Sequence, residues 1–263
     1  MNTQPTTLIT VATAFAYLGG VAFLAAGIYL SLKGKRLHPL LLVCVSALSF
    51  SWIEAPYDWA MYAQFPAAIT RMPSWWPLNM TWGGLPAAVP VGYMSYFALP
   101  AVIGAALGTR LYRARGWRRP LTLLTVGLVI GFCWAFFFNA ILGAQLGVFH
   151  YGKVIGGLAL WEGTAHQYPI YDSLAMGVQM MVFTYLLGRT DTQGRTVVEA
   201  WAARYTSTVG QRVALSLAAV MVIGNLLYGL VFAPHLITKL AGWVNVGPSA
   251  PLFPGIPNQP LHG

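Results

Sequence analysis

Six apolar segments, each long enough to cross a bilayer, decide what this chain can fold into. They run over about residues 8–32, 39–62, 88–112, 120–143, 168–188 and 212–233, and a helix rising 1.5 Å per residue needs roughly 20 residues to span hydrocarbon. Only 8% of the residues are charged and 57% are hydrophobic, whereas a soluble domain carries about a quarter charged. The sequence therefore predicts an all-α polytopic transmembrane bundle: one six-helix domain over 1–238 and a Pro-rich tail over 239–263. The net charge of +9 would suit nucleic acid, but the basic residues stand in short clusters between apolar segments. No nucleic-acid partner is expected, and the clusters read as topology signals.

Their placement sets the orientation. The connections after the first, third and fifth segments carry Lys33, Lys35 and Arg36, then five arginines over 110–119, then Arg189, Arg195, Arg204 and Arg212, twelve of the fifteen basic residues. By the positive-inside rule these connections face the cytoplasm and both termini lie outside, as in a bacterial cytoplasmic membrane. Met1–Leu8 has no basic run ahead of an apolar one, so no cleavable signal is expected. Cys44 and Cys133 fall at different depths, which disfavours a disulfide between them.

The two longer outward connections differ from the inner ones. In 64–86, Pro66, Pro73, Pro77 and Pro86 forbid a regular helix while Trp75, Trp76 and Trp82 suit an interface, so the stretch reads as a lid on the membrane surface. The connection 144–166 is glycine-rich and ends in Trp161-Glu162-Gly163-Thr164-Ala165-His166. On the inner side Val197–Tyr205 reads as an amphipathic surface helix.

Six acids remain to be sorted. Asp191 and Glu199, among arginines, read as solvated loop charges. The other four gather at outer span ends: Trp52-Ile53-Glu54-Ala55-Pro56-Tyr57-Asp58-Trp59 closes the second segment, Glu162 precedes the fifth, and Asp172 lies about one turn inside it. An ionisable group inside a span is disfavoured by roughly 2.5–3.5 kcal/mol on insertion scales, so a functional role is its default reading. Tyr93, Tyr96, Asn139 and Asn225 reach the outer half as well, implying a polar pocket that opens outward beneath the loops. Pro56-Tyr57-Asp58 echoes Pro169-Ile170-Tyr171-Asp172, but an inverted repeat would put the second copy at the other end of its span.

This constellation has acid–base chemistry in it. Glu54 and Asp58 are spaced i, i+4, about 5–6 Å apart between Cβ atoms on a regular helix, with Pro56 kinking the turn between them. Two carboxyls in an apolar setting do not both ionise cheaply, so one is expected to hold a proton and the other to stay an anion. Asp172, Glu162 and His166 complete the candidate catalytic set. Trp52, Tyr57, Trp59, Tyr168 and Tyr171 offer aromatic faces to a cationic intermediate, and with Tyr93, Tyr96, Asn139 and Asn225 they form the candidate substrate-binding set. His150, Glu162 and His166 lack metal-ligand spacing, so neither metal nor other cofactor is expected. Asn79-Met80-Thr81 matches a glycosylation sequon; His38, His235 and His262 receive no role.

The Trp52–Trp59 motif at a span end, Trp75-Trp76-Pro77 in the loop, and Tyr168-Pro169-Ile170-Tyr171-Asp172 opening a later span resemble the spirocyclase AveC family of small actinobacterial membrane proteins. The likeness runs from about residue 10 to 235. It implies an enzyme of polyketide secondary metabolism that closes a lipophilic dihydroxy-ketone into a spiroketal, with an influence on a later dehydration and no cofactor. It carries over neither a substrate nor a catalytic assignment. Two other readings stay open: a membrane terpene-type cyclase or dehydratase, and a non-enzymatic lipid-binding or transport protein. The partners expected are a lipophilic small molecule and membrane lipids; the sequence carries no sign of oligomeric state.

Overall fold

The structure is a computed structural model and describes residues 6–248. The N-terminal five residues and the Pro-rich stretch beyond Pro248 lie outside the described residues. Among the described residues six helices are long and apolar enough to span a membrane: Thr7–Gly34, Pro39–Ala60, Val89–Arg115, Arg119–Gln145, Ile170–Gly188 and Val209–Leu240. These match the six predicted segments, and the last runs further than expected because the bundle carries the helix through Pro234.

The elements are α1 (Thr6–Gly34), α2 (Pro39–Phe50), α3 (Glu54–Ala60), α4 (Val89–Arg115), α5 (Arg119–Ala135), α6 (Ile170–Gly188), α7 (Val197–Ala202) and α8 (Val209–Leu240). Each helix start uses the sequence at hand. Pro39, Pro90 and Pro120 occupy first-turn positions, where a missing N–H is harmless, and His38 caps α2 by accepting the Leu40 N–H at 3.2 Å. Helix α4 ends on Arg113 and Arg115, which complement its dipole, and on Gly116 in the left-handed conformation.

Helix α4 is the centre of the bundle and packs on α1, α2, α5 and α6. Helix α1 lies at the periphery but approaches α4 closely, since a Cβ on Gly20 would sit 2.0 Å from the Val91 carbonyl oxygen. The core is aromatic. Phe50 stacks on Tyr228 at 4.5 Å and meets Phe97 edge-on at 5.3 Å, and both phenylalanines contact Phe183.

The two faces of the bundle are built differently. On one, short links join the basic residues: Arg119 donates to the Gly188 carbonyl at 2.6 Å, Arg36 donates to the Gly194 carbonyl, and Arg195 pairs with Asp191 at 2.7 Å. Glu199 corrects an expectation here. It is 5% exposed rather than solvated, because its carboxylate accepts the Thr196 N–H at 2.9 Å while its own N–H returns to the Thr196 hydroxyl, a capping box that starts α7.

On the other face, the two long connections fold together into a cap. Three two-stranded antiparallel ladders hold it: β1 (Ala63–Gln64) with β2 (His150–Tyr151), β3 (Val154–Ile155) with β6 (Val244–Val246), and β4 (Ala159–Leu160) with β5 (Tyr168–Pro169). Arg71 clamps the proline-rich loop by donating to the carbonyls of Gly84, Phe65 and Pro66 at 2.6–2.9 Å. Burial in that nest of carbonyls pushes its pKa down to about 10, still well above neutrality. Asn79, read as a sequon, is buried and stitches the loop through the Leu85 N–H and the Pro73 carbonyl. Cys44 and Cys133 are free.

Candidate active site

The second span breaks where the carboxylates begin. Pro56 has no N–H for the Trp52 carbonyl, and the chain tightens into a 3-10 turn over Ser51–Ile53 before restarting as α3. The break turns Tyr57 inward, toward the first turn of α6. There Asp172 sits at the positive end of a helix dipole.

Asp172 is 2% exposed and accepts from four side chains supplied by four separate segments. Tyr57 of α3 donates to Oδ1 at 2.8 Å; Asn139, Tyr151 and Tyr168 donate to Oδ2 at 2.8, 3.0 and 3.4 Å. Asn139 reaches it from Phe136–Gln145, where α5 continues with wider, π-type winding, a distortion that recurs at functional sites. Its amide is oriented in turn by the Tyr96 hydroxyl, 3.4 Å from Oδ1. Burial, and then the Asp172 charge, push the Tyr151 hydroxyl well above the usual tyrosine range, so it acts only as a donor.

The Tyr57 hydroxyl also lies 3.0 Å from Nε2 of His235. A phenol has one proton, and Tyr57 gives it to Asp172; the second contact therefore requires Nε2–H of His235 to donate. The result is a chain His235 to Tyr57 to Asp172.

Glu54 sits at the head of a second chain. Tyr228 donates to Glu54 Oε2 at 2.6 Å, and the Tyr93 hydroxyl lies 2.8 Å from that of Tyr228. The Tyr57 and Tyr228 rings stack at 5.6 Å, so the two chains lie side by side. Asp58, 5% exposed, has a poorer environment: one Thr81 hydroxyl, shared between Asp58 Oδ2 at 3.2 Å and the Ala55 carbonyl at 3.4 Å.

Other sequence-predicted residues fall around this cluster or away from it. Tyr171 packs its ring 5.6 Å from His235. Trp59 lends its carbonyl and ring to Lys239, at 2.7 Å and 4.2 Å. Trp52 and Asn225 bond each other at 2.8 Å on the periphery, with Asn225 also donating to Ser49; they tie α8 to the second span. Glu162 and His166 are exposed and lie outside the cluster. Glu162 accepts the Gly157 N–H at 2.6 Å within its own turn, and His166 Nδ1 meets the Ala144 carbonyl at 2.9 Å.

The expected outward opening is closed. Thr81, Tyr151 and Tyr168 belong to the cap and themselves bond Asp58 and Asp172, so the loops complete the site where a pocket mouth was expected. Glu54 keeps partial exposure while Asp58 and Asp172 are buried. Sequence reasoning missed Thr81, Tyr151, Tyr228 and His235. Tyr228 and His235 carried a signal, being polar rings seven residues apart on one stripe of an apolar helix. Among the described residues no three His, Cys, Asp or Glu side chains converge as a metal site.

No curated protein and no solved structure matches this chain. A protein-family comparison does: the family described as spirocyclase AveC-like matches residues 33–259, which take in α2 to α8, the cap and every carboxyl and hydroxyl of the cluster. The chain belongs to the spirocyclase AveC-like family.

Proposed function

We propose that this protein is a membrane-embedded spirocyclase-like enzyme that closes a lipophilic hydroxy-ketone into a spiroketal by acid–base catalysis. The observation that carries the reading is the pair of neighbouring proton chains, His235–Tyr57–Asp172 and Tyr93–Tyr228–Glu54, buried in an aromatic core. Spiroketal closure needs little more. One hydroxyl adds to the ketone to give a hemiketal; an acid protonates the hemiketal hydroxyl, which leaves as water; the second hydroxyl traps the oxocarbenium ion and gives up its proton to a base. The proton taken up by the base then passes back to the acid, so that both finish with the proton count they began with.

Asp172, with donors on both oxygens, has the surroundings of an anion and is assigned as the base, with Tyr57, itself held by His235, donating to its Oδ1. Glu54 and Asp58, with fewer donors, are assigned as the acid pair. The rings of Tyr57, Tyr93 and Tyr228 face the developing cation. The substrate, a polyketide- or lipid-like small molecule, reaches Glu54 from the bilayer along the seam between α3 and α8. Transport is disfavoured because the described acids of the spans all lie near the cap face.

The test is ring closure of a lipophilic keto-diol by purified protein, compared with Asp172→Asn. Turnover that the variant lowers by roughly 10²–10⁴-fold supports the assignment; failure of the wild type to accelerate closure of any keto-diol, with an isoprenoid cyclised instead, would favour the terpene-type reading. The orientation is proposed from the basic bias: the cap face is extracytoplasmic. Single cysteines at the exposed positions Ala68 and Gln193, in a Cys133-free background, should label from opposite sides.

A further inference from the structure

Below Asp172, the same stripe of α6 carries a polar group that the rest of the fold does not use. Gln179 is 0% exposed, and neither its Oε1 nor its Nε2 has a hydrogen-bond partner. A buried amide left unpaired is costly, most of all where no bulk water reaches, and an apolar residue of the same shape would remove the penalty. Other buried groups among the described residues are also unpaired, among them Thr184 Oγ1, Ser216 Oγ, Arg119 Nε and the indole N–H of Trp76, Trp82 and Trp134. The first two are single hydroxyls, which a small rotation can turn onto a helix carbonyl, and each of the others leaves one donor unmet. A primary amide has two donors and an acceptor to satisfy and no such local remedy.

The position of Gln179 is as telling as its isolation. It lies seven residues beyond Asp172, two turns of helix, hence on nearly the same face and about 10 Å deeper. Between the two stand Ala175 and Met176, a small side chain and a flexible one, which make a yielding wall. One turn beyond Gln179, Phe183 packs on Phe50 and Phe97 at 6.2 and 5.8 Å and shuts the stripe with rings. From the cap inward the stripe is thus a charged end, a deformable middle, an unpaired amide and an aromatic floor.

We infer that Gln179 is a substrate-binding residue that selects molecules carrying a hydroxyl or carbonyl on their tail, about 10 Å from the group that meets Asp172. The tail displaces Met176 and runs down α6 to the floor. A hydroxyl suits Gln179 best, because it donates to Oε1 and accepts from Nε2. The inference rests on the reading of Asp172 as part of the reacting centre, and it narrows the substrate class to oxygenated rather than plain alkyl keto-diols.

Gln179→Met, close in shape and without the amide, tests it in two ways. In the ligand-free protein the variant should melt about 2–4 °C higher, as loss of an unpaired buried amide predicts. An unchanged or lower melting temperature would mean that the amide is satisfied inside the protein and would overturn the inference. The second arm compares two probes: a keto-diol with a further hydroxyl about 10 Å along its tail, and the same molecule without it. Wild type should bind the hydroxylated probe about ten-fold more tightly and Gln179→Met should bind the two alike. Equal affinity in the wild type, or a preference that survives in the variant, refutes the role of Gln179 alone. Binding of neither probe refutes it together with the keto-diol reading on which it rests.

Discussion

Tyr57, just past the break in the second span, hands its proton to Asp172 at the start of the fifth across 2.8 Å. The tyrosine of the first Pro-Tyr-Asp motif thereby meets the aspartate of the second, so the two echoing stretches come together in one hydrogen-bonded cluster. The same contact fixes the direction of the bond to His235, because the phenol has a single proton to give.

Phenylalanine at Tyr57 cuts that chain and leaves Asp172 its other three donors. Turnover should fall by roughly 10²-fold, the lower end of the scale for general acid–base work, and the melting temperature should drop by several degrees, because Asp172 Oδ1 loses its side-chain donor and His235 its partner. His235→Asn should lower turnover less and, unlike a packing defect, change its pH profile. A Tyr57→Phe enzyme within three-fold of wild type would leave the chain a structural feature.

The acid pair should be needed in both parts. Glu54→Gln and Asp58→Asn keep shape and remove one ionisation each, and each should lower turnover by roughly 10²–10⁴-fold. A purely structural pair predicts otherwise, since an amide still bonds Tyr228 or Thr81. Near-normal turnover in both variants would shift the assignment of proton donor away from α3.

Residues outside the cluster provide the contrast. Glu162→Gln and His166→Asn, exposed and bonded within the cap, should change turnover by less than about three-fold. Glu199→Ala should leave turnover alone but remove the capping box at Thr196, destabilising α7 by about 1 kcal/mol, read as a lower unfolding midpoint. Loss of activity in Glu162→Gln would return that residue to the catalytic set.

His150, in the cap ladder beside β1, gives the cap an acid sensitivity. Burial, and then the charge of His166 5.7 Å away, hold its pKa down at about 4 against an ordinary 6.5. The unfolded chain therefore binds the extra proton between these values and the folded one does not. Stability should fall as pH drops from about 6.5 to about 4 and level off below. Melting curves across that range should show this slope, and His150→Gln should flatten it; an unaltered slope would place the sensitivity elsewhere.

The sequence by itself determined the bundle. Six apolar runs leave no alternative to helices, because a backbone in hydrocarbon must satisfy its own hydrogen bonds, and alternating basic clusters are the basis of the proposed orientation. It also pointed to Tyr57, Asp58 and Asp172, because carboxyls and prolines stand out where nearly every neighbour is apolar. Which groups meet was decided only by the tertiary structure. Thr81, Tyr151 and Tyr168 lie in the cap, where polar residues are ordinary and send no signal, yet the cap folds down and they complete the hydrogen bonds of Asp58 and Asp172. Glu162 and His166 looked equivalent to those residues along the chain and face away, because a tight turn closes on the Glu162 carboxylate. Likewise the sequence shows Gln179 as one polar residue in a long helix; that its amide has no partner depends on how α6 packs against the aromatic core, a relation among residues more than a hundred positions apart.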